Sequence, residues 1–485
     1  MIGPCEIELK LELDRQNLAK LKRDPLLRTA DEATDRLISR YFDTADRGLH
    51  QAGYTLRVRH SGDGNVQTVK QEAPAAAGLF QRPEWERPIE GRRPTVDCSD
   101  GPLAALIGGR TLTPAFTTDV RRSVRDLVSN GSRIEVALDD GTIRAGSRKI
   151  ALCEIELELK GGAPEPLFAL ARAMNEVVPL RLGVRSKAER GYDLTEADPA
   201  DALKADRIEL DPLSDARAGF AAIAAACIRH FRLNEPLLLA SGEAETLHQA
   251  RVGLRRLRSA FSLFKPLLEG DAKAGRLGDE IRWLAAKLGA VRDLDVLIPH
   301  FEGDGADRLG EARAAAMEEA RCALESARSR KLMIDLAEWL AIGAWRMRPA
   351  DPICATQNIA LFAGTLLDRH RRRLQRRSRH LAKLDAHRRH RVRIEAKKVR
   401  YATEFFASLW DGGKARRRRR AFLSALEELQ DHLGEINDRT AAAAILEELG
   451  LSEEGVGHRE STHALLDRAE DAYSDLVDAK PFWRD

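Results

Sequence analysis

The sequence has few aromatic residues and no long apolar run. Phe, Trp and Tyr make up 5% of the 485 residues, too few for the rows of rings on which single-stranded nucleic acids stack their bases. No apolar stretch approaches the length that spans a bilayer, and the residues after Met1 lack the basic and apolar regions of a secretory leader. We therefore expect a cytoplasmic protein with no membrane association and no specific nucleic-acid binding.

Cysteine is also scarce, and net charge is nearly absent. The six cysteines lie far apart with no CxxC pair, which argues against a disulfide framework or a zinc site and favours reduced thiols. Lys and Arg number 79 against 76 Asp and Glu, for a net charge of +3. This balance conceals local segregation of the two signs, which carries more information than the total.

A chain of this length is expected to form more than one hydrophobic core. The period-two pattern of the N-terminal part ends at an acidic, proline-containing segment, and apolar residues then recur every three or four positions. We predict an α+β multidomain protein. It would comprise a β domain over 1–197, an acidic linker over 198–215, an all-α bundle over 216–460 and a tail over 461–485.

The first strand of the predicted β domain has two opposite faces. Residues 6–13 alternate strictly, with aliphatic side chains on one face and Glu6, Glu8, Lys10 and Glu12 on the other. Nearly the same pattern returns about 150 residues later, where Glu154, Glu156 and Glu158 share a face. Because a row of carboxylates is unfavourable without nearby cations, the two strands are predicted to line one cavity.

Basic residues occupy the polar faces of several strands between these two. Arg57 and Arg59 share one face, Lys70 lies on the next strand, and Arg82, Glu84 and Glu86 alternate around Trp85. For any single strand, a solvated sheet face explains such charges better than a functional site does. The whole set instead favours an antiparallel sheet closed on itself, with a wall suited to a small polyanion that arrives with a divalent metal.

These motifs closely resemble the CYTH family, the triphosphate tunnel metalloenzymes. The resemblance covers most of residues 1–195 in family order and rests on Glu6-x-Glu8-x-Lys10, Tyr41 to Thr44, Leu56 to Arg59, Lys70, Arg82-x-Glu84-x-Glu86, Glu135 to Asp139, Glu154-x-Glu156-x-Glu158 and Ser186-Lys187. It implies an eight-stranded antiparallel tunnel that hydrolyses or cyclises triphosphates with Mg²⁺ or Mn²⁺.

The resemblance also assigns roles by position. Glu8, Lys10 and Lys70 would be catalytic. The metal ligands would be Glu6, Glu8, Asp139, Glu154 and Glu156. The triphosphate ligands would be Arg57, Arg59, Lys70, Arg82, Arg122 and Lys187. Arg122 adjoins Arg121, and a one-residue register slip would exchange them across the sheet. Spacing does not decide whether Glu8 or a carboxylate of the late strand is the general base.

The helical half contains a duplicated basic stripe. The first copy carries His248, Arg251, Arg255 and Arg258, and the second, about 140 residues later, carries His390, Arg393, Lys397 and Arg400. At about 100° per residue each set falls on one side of a helix. Only Glu395 interrupts either stripe, so we favour an anion-binding trough over a solvated face, whereas the two histidines serve equally well as orienting groups.

This half is similar to the CHAD family, over about residues 216–445. The matches lie in both stripes and in the paired segments Leu288 to Asp293 and Leu433 to Asp438. The resemblance implies that the eight stripe residues bind long-chain polyphosphate, with an association with polyphosphate granules. Residues 300–360 and those after 450 carry no family signal.

The sequence supports three hypotheses about function. The first is a metal-dependent inorganic triphosphatase, similar to bacterial proteins that join the two families, with a helical domain that binds polyphosphate. The second is a non-catalytic polyphosphate-binding or granule-targeting protein. The third is a tunnel enzyme for an organic triphosphate, namely thiamine triphosphate, an RNA 5′ end or the substrate of an adenylate cyclase.

Overall fold

A computed structural model describes residues 5–28, 31–62, 64–72, 77–96, 102–196, 202–302, 304–347, 358–457 and 460–484. The chain forms two compact units. The first comprises Met1–Asp201 together with Ser326–Ile342, and the second comprises Ala202–Glu325 together with Gly343–Asp485. Among the described residues, no helix has both the length and the apolar character needed to cross a membrane.

The first unit is built on an antiparallel sheet that closes on itself. In chain order its strands are β1 (Cys5–Glu12), β2 (Ala33–Asp43), β3 (Tyr54–Ser61), β4 (Gly64–Gln71), β5 (Leu79–Ile89), β6 (Thr113–Ser129), β7 (Ser132–Ala145), β8 (Arg148–Gly161) and the short β9 (Arg181–Leu182). Their spatial order is β5-β4-β3-β2-β6-β7-β8-β1-β9, and β1 also pairs with β5. Eight strands thus close a barrel, as predicted. The short β9 pairs with the end of β1, at Leu11 and Glu12.

The barrel is polar inside and apolar outside. In β1, Leu9 and Leu11 are fully buried on the outer face, and helix α5 (Glu165–Val177) packs against β1 and β8. The inner face carries Glu8 and Lys10, and Lys10 lies opposite Glu156 in the register with β8. Strict alternation therefore sends the aliphatic residues to a helix-covered core and the charges into the tunnel.

Several other helices belong to the first unit. They are α1 (Arg15–Lys22), α2 (Pro25–Arg28), α3 (Gly48–Gln51), α4 (Pro102–Ile107), α6 (Lys187–Thr195) and, from a much later part of the chain, α12 (Ala327–Ile342). Helix α12 contacts α5 and β9. The sequence predicts that residues 326–342 belong to the helical bundle. The structure instead groups them with the first unit, which contains the tunnel.

The second unit is helical throughout its described regular structure. Its helices are α7 (Ala216–Ser241), α8 (Ala244–Leu263), α9 (Lys265–Leu268), α10 (Ala272–Leu297), α11 (Ala306–Glu325), α13 (Ile359–Arg377), α14 (Ala386–Phe405), α15 (Gly413–Leu449) and α16 (Thr462–Asp478). The duplicated segments fall on α8 and α10 in the first copy and on α14 and α15 in the second. Helix α8 packs on α14, and α10 packs on α15, so the two copies face each other.

Candidate active site and anion-binding cavity

The barrel encloses a cavity of about 200 Å³ whose wall is almost entirely charged or polar. Eight carboxylates and eight basic side chains line it. The acids are Glu6, Glu8, Glu72, Glu84, Glu86, Glu135, Glu156 and Glu158, and the bases are Lys10, Arg57, Arg59, Lys70, Arg82, Arg122, Lys160 and Lys187. Equal numbers of opposite charges suit an anion accompanied by a cation better than either ion alone.

Three buried carboxylates lie together on β7 and β8, and one of them, Glu156, lines the cavity. Ligand oxygens of Asp139, Glu154 and Glu156 lie within 4.8 Å of one another. The ammonium of Lys187 contacts all three, at 2.7, 2.6 and 2.6 Å respectively. Arg122 donates to Asp139 at 2.7 Å through Nε. The register therefore turns Arg122 inward, and its neighbour Arg121 is exposed.

Opposite charges keep this cluster ionised despite its burial. Burial alone would raise the pKa of Glu156, but Lys10, Lys187 and Arg122 together hold it well below its ordinary value. Burial would likewise lower the pKa of Lys10, and Glu154, Glu156 and Glu8 instead raise it well above its ordinary value. Asp139 follows the same rule, because Lys187 and Arg122 lower its pKa against the effect of burial.

The other two predicted metal ligands lie outside this compact set. Glu6 accepts from Lys70 at 2.8 Å and from Arg82 at 3.2 Å. Glu8 contacts Lys10 at 2.8 Å, and the same ammonium also contacts Glu154 at 3.4 Å and Glu156 at 2.5 Å. Glu8 is therefore linked to the compact set through Lys10, whereas Glu6 pairs with other cations. All the predicted phosphate-side residues line the same cavity.

Two arginines have weak internal partners. Arg57 approaches Glu84 and Glu86 only to 3.7 and 3.8 Å, and the buried Nε atoms of Arg57 and Arg59 have no hydrogen-bond partner among the described residues. Burial, reinforced by Arg57 and Arg122, lowers the pKa of Arg59 to about 10. An incoming anion would relieve this unfavourable clustering of positive charge.

The compact set has the chemistry of a site for a hard divalent ion. Its three members offer only carboxylate oxygens, which Mg²⁺ and Mn²⁺ prefer, and strands β7 and β8 hold them in fixed register at Asp139↔Glu154. Asp139, Glu154 and Glu156 therefore fit the metal that the tunnel implies, provided that the ammonium of Lys187 moves away from their oxygens.

Sequence reasoning did not assign several residues of the site. Glu72 contacts Arg82 at 2.9 Å, Arg190 contacts Glu154 at 3.2 Å, and Lys160 lines the cavity beside Glu158. The sequence contains a signal for each of these three residues. Glu72 and Lys160 continue the inward parity of β4 and β8, and Arg190 lies one helical turn after Lys187.

A second cavity, of about 630 Å³, lies inside the helical unit. Its lining includes Arg255, Arg393, Lys397 and Arg400 from the two predicted stripes. Arg255 donates to the hydroxyl of Tyr401 at 2.6 Å. The lining mixes residues of α8, α10, α14 and α15 and therefore draws on both sequence copies.

A carboxylate accompanies the basic stripe in each copy. Arg251 lies 3.8 Å from Asp293, and Arg393 lies 3.6 Å from Asp438. Asp293 and Asp438 occupy equivalent places in the paired segments of the sequence. Both carboxylates line the same cavity. Burial raises the pKa of Asp293, and the charge of Asp438 adds to the effect.

Lys397 is a lining residue of this cavity whose pKa is strongly lowered. Burial, with Arg393 and Arg255 nearby, lowers its pKa to about 7. Arg251 responds in the same way, and burial lowers its pKa to about 10 despite Asp293. Arg400 differs, because its guanidinium pairs with Glu404 at 3.0 Å and Glu427 at 3.1 Å.

The remaining stripe residues lie away from the cavity lining. His248 is half-buried, and burial and Arg292 lower its pKa. His390 is exposed, with its Nδ1 3.0 Å from the side-chain oxygen of Asn437. Arg258 is also exposed, and burial of part of its side chain, together with the charge of Arg282, lowers its pKa. The structure therefore brings Arg255, Arg393, Lys397 and Arg400 together in the cavity lining, places Arg251 beside the lining residue Asp293, and leaves these three farther out.

A closed β-tunnel with a charged interior, joined to a duplicated helical unit whose cavity is lined by both basic and acidic side chains, defines a two-domain protein built around charged cavities. Residues 5–192 match the CYTH domain model, and residues 222–447 match the CHAD domain model. The chain thus consists of a CYTH domain followed by a CHAD domain, as its sequence motifs predict.

Known proteins resemble each domain separately. The chain is 34% identical, over 191 residues, to an inorganic triphosphatase of Haemophilus influenzae. That match covers 39% of this chain and 54% of the relative, so the chain spans about half the length of that relative.

Solved structures resemble the two domains as well. The CHAD domain from the plant Ricinus communis is 30% identical with a TM-score of 0.45, covering 57% of this chain and 92% of that one. A Hippeastrum protein, named for adenylyl cyclase and described as having a dominant triphosphatase activity, is 18% identical with a TM-score of 0.30. The match covers 40% of this chain and 98% of the Hippeastrum chain.

Proposed function

We propose that the tunnel domain hydrolyses inorganic triphosphate to diphosphate and phosphate with Mg²⁺ or Mn²⁺. The observation that carries this proposal is a cavity of about 200 Å³ whose wall holds partly unsatisfied arginines together with Glu156, one member of the three-carboxylate set. The similarity to an inorganic triphosphatase over the same part of the chain supports it.

The composition of the cavity wall favours an inorganic substrate over an organic one. Tyr41 is the only ring in the described lining, and that ring already stacks on Phe116 with centroids 4.4 Å apart. The other lining residues supply charges, hydroxyls and two alanines. Such a wall offers basic groups to phosphate oxygens and carboxylates to a divalent ion, and its described residues provide no apolar slot for a nucleobase or thiazolium.

The mechanism we propose is in-line attack of water on a terminal phosphoryl group. Arg57, Arg59 and Lys70 bind the phosphate oxygens and stabilise the charge that spreads over them in the transition state. A divalent ion held by Asp139, Glu154 and Glu156 would polarise the attacking water and neutralise phosphate charge. Either Glu8 or Glu156 accepts the proton of the water, since both carboxylates face the cavity.

We further propose that the helical domain binds long-chain polyphosphate in its own cavity. Arg255, Arg393 and Lys397 are clustered there, and burial disfavours the charge of Lys397, so a polyanion would gain more from this site than from an exposed basic surface. A cytoplasmic protein that binds such chains would associate with polyphosphate granules.

Phosphate release from the purified full-length chain tests the tunnel assignment. Tripolyphosphate, ATP, thiamine triphosphate and long-chain polyphosphate would each be supplied with Mg²⁺ or Mn²⁺. We expect turnover of tripolyphosphate that Glu8→Gln and Lys70→Ala abolish, while Asp140→Asn, which alters an outward carboxylate paired with Arg15, leaves it intact. Faster release from an organic triphosphate, or no release at all, would favour the tunnel enzyme for that substrate or the binding protein instead.

Polyphosphate binding is tested separately by reversing charge in the helical cavity. Changing Arg251, Arg255, Arg393 and Lys397 to Glu should abolish binding of long chains and leave tripolyphosphate turnover unchanged. Wild-type affinity should also fall steeply with salt, because binding releases counterions from the polymer. Binding that survived the four reversals would place the polymer elsewhere.

A further inference from the structure

Helix α12 is separated from the barrel by more than 100 residues of sequence, yet it packs on the tunnel unit. It buries Leu336, Trp339 and Leu340, among others, on the face that it presents to its neighbours. Two ion pairs join it to α5, because Arg172 contacts Asp335 at 2.9 Å and Glu338 at 2.7 Å. Helix α12 is therefore packed into the first unit through buried apolar residues and through two ion pairs.

A hydrogen-bond relay connects α12 to the segment that follows α5. Arg330 of α12 donates through Nε to the side-chain oxygen of Asn175 at 3.0 Å. The same oxygen accepts from the backbone N–H of Leu180 at 3.2 Å. Asn175 and Leu180 are both buried, so this shared acceptor fixes the start of the segment that runs into β9.

The segment from Leu180 onward is then held at successive points until it enters the tunnel. Leu182 of β9 pairs with Leu11 of β1. Gly183 donates to the backbone oxygen of Lys10 at 2.8 Å, and a Cβ at this position would lie only 3.1 Å from Cγ of Lys10. Ser186 caps helix α6 with a reciprocal bond to Glu189. The next residue is Lys187, at the three-carboxylate set.

We propose that Arg330 is a positioning residue for Lys187, so that α12 completes the tunnel as a working site. This inference deepens the proposed function and rests on it. Arg330 orients Asn175, Asn175 holds the backbone at Leu180, and β9 passes that placement to the start of α6. Loss of the Arg330 contact lets Lys187 shift relative to Asp139, Glu154 and Glu156, and this changes both metal binding and turnover.

A double-mutant cycle in the full-length chain tests the proposal. Arg330→Met should lower kcat/KM for tripolyphosphate roughly 10-fold, the lower range for residues that orient a metal site, and should change the affinity for Mn²⁺ measured without substrate. In a Lys187→Met background, Arg330→Met should have no further effect on either quantity. Lys331→Met, on an exposed position of the same helix, is the control: it removes the pair of Lys331 with Asp335 but keeps the bonds from Arg330 to Asn175 and from Arg172 to Asp335, and it should behave like wild type.

The two readouts separate the possible outcomes. Additive effects of the two substitutions, or a loss of thermal stability with unchanged Mn²⁺ affinity, would show a merely structural role and overturn the proposal. If Arg330→Met does not fold, Arg330→Gln and Arg330→Lys enter the same cycle, and Lys should restore part of the activity. If the wild type fails to hydrolyse tripolyphosphate, the proposed function fails, while the Mn²⁺ cycle still decides whether Arg330 acts through Lys187.

Discussion

The ammonium of Lys187 lies 2.6 Å from a carboxylate oxygen of Glu154, at the point where helix α6 enters the tunnel. The same ammonium contacts Asp139 and Glu156. It therefore competes with any divalent ion for the oxygens that would bind that ion. Metal loading and movement of Lys187 are coupled for this reason.

The first prediction concerns this competition. Lys187→Met should tighten Mn²⁺ binding in the absence of substrate, because it removes the competing ammonium, yet it should lower tripolyphosphate turnover by removing a phosphate contact. Calorimetric titration with Mn²⁺ and a phosphate-release assay measure the two effects. Lys149→Met, on an exposed site of β8, serves as the control. Unchanged or weaker Mn²⁺ binding in Lys187→Met would contradict the competition.

The second prediction concerns Arg59, whose pKa burial lowers to about 10. Because its charged form is disfavoured in the fold, Arg59→Met should raise the melting temperature in buffer without phosphate and metal. The same change should raise KM for tripolyphosphate on the order of 10-fold to 100-fold, the usual loss for a hydrogen bond to a charged group.

The matched control for Arg59 is Arg36→Met, because Arg36 is an exposed arginine that pairs with Asp119. It should leave KM unchanged. A drop in melting temperature for Arg59→Met, with KM unaltered, would mean that this arginine is a structural residue.

The third prediction concerns Glu156, whose pKa lies well below its ordinary value despite burial because Lys10, Lys187 and Arg122 surround it. Its ionised form thus stabilises the fold above the pKa of the unfolded chain, and this contribution is lost as pH falls through the folded pKa. Glu156→Gln should destabilise the tunnel unit at pH 7 by about 3 kcal/mol, since it breaks a buried charge network.

Urea unfolding between neutral and acidic pH measures this effect. The wild type should lose stability in acid more steeply than Glu156→Gln, and the two curves should converge at low pH. Asp140→Asn, on the outer face of β7, should track the wild type throughout. Parallel curves for wild type and Glu156→Gln would show that the network is not the source of acid sensitivity.

The fourth prediction concerns Lys397, whose pKa burial and the nearby Arg393 and Arg255 lower to about 7. A bound polyphosphate would raise that pKa, so binding should take up a proton near neutral pH, and affinity should fall as pH rises above about 7. Lys397→Met should weaken binding and remove the pH dependence, whereas Lys397→Arg should keep the binding and also remove the dependence.

Calorimetry in buffers of different ionisation enthalpy detects the proton uptake for Lys397. Lys414→Met, an exposed lysine at the start of α15, is the control. Equal proton uptake in wild type and Lys397→Met would assign the titration to another group.

Local patterns were sufficient to predict the barrel and most of its wall. Strict alternation in β1 and β8 identifies the inward face, because a strand repeats every two residues and one register places Lys10 against Glu156. The helical stripes were less decisive. Helical spacing placed Arg258 and His390 with the other bases, but a stripe is wider than a cavity, and both residues lie outside it.

The packing partner of helix α12 could not be predicted from the sequence, for a different reason. Its apolar periodicity is that of any amphipathic helix, and nothing in that pattern names the partner it packs against. The three-carboxylate set was similarly underdetermined, since Glu6 and Glu8 have the same parity as Glu154 and Glu156. Only the structure separates them, because the carboxylate oxygens of Glu154, Glu156 and Asp139 converge within 4.8 Å, whereas Glu6 pairs with Lys70 and Arg82.

The double pairing of β1 has a consequence for biosynthesis. Residues 5–9 pair with β5, and residues 8–12 pair with β8, some 145 residues further along the chain. A ribosome must therefore extend the chain well beyond residue 158 before the first strand to emerge can find its second neighbour. Until then Leu9 and Leu11 of β1, which the folded barrel buries, stay uncovered on the nascent chain, and apolar surface of this kind favours aggregation during synthesis.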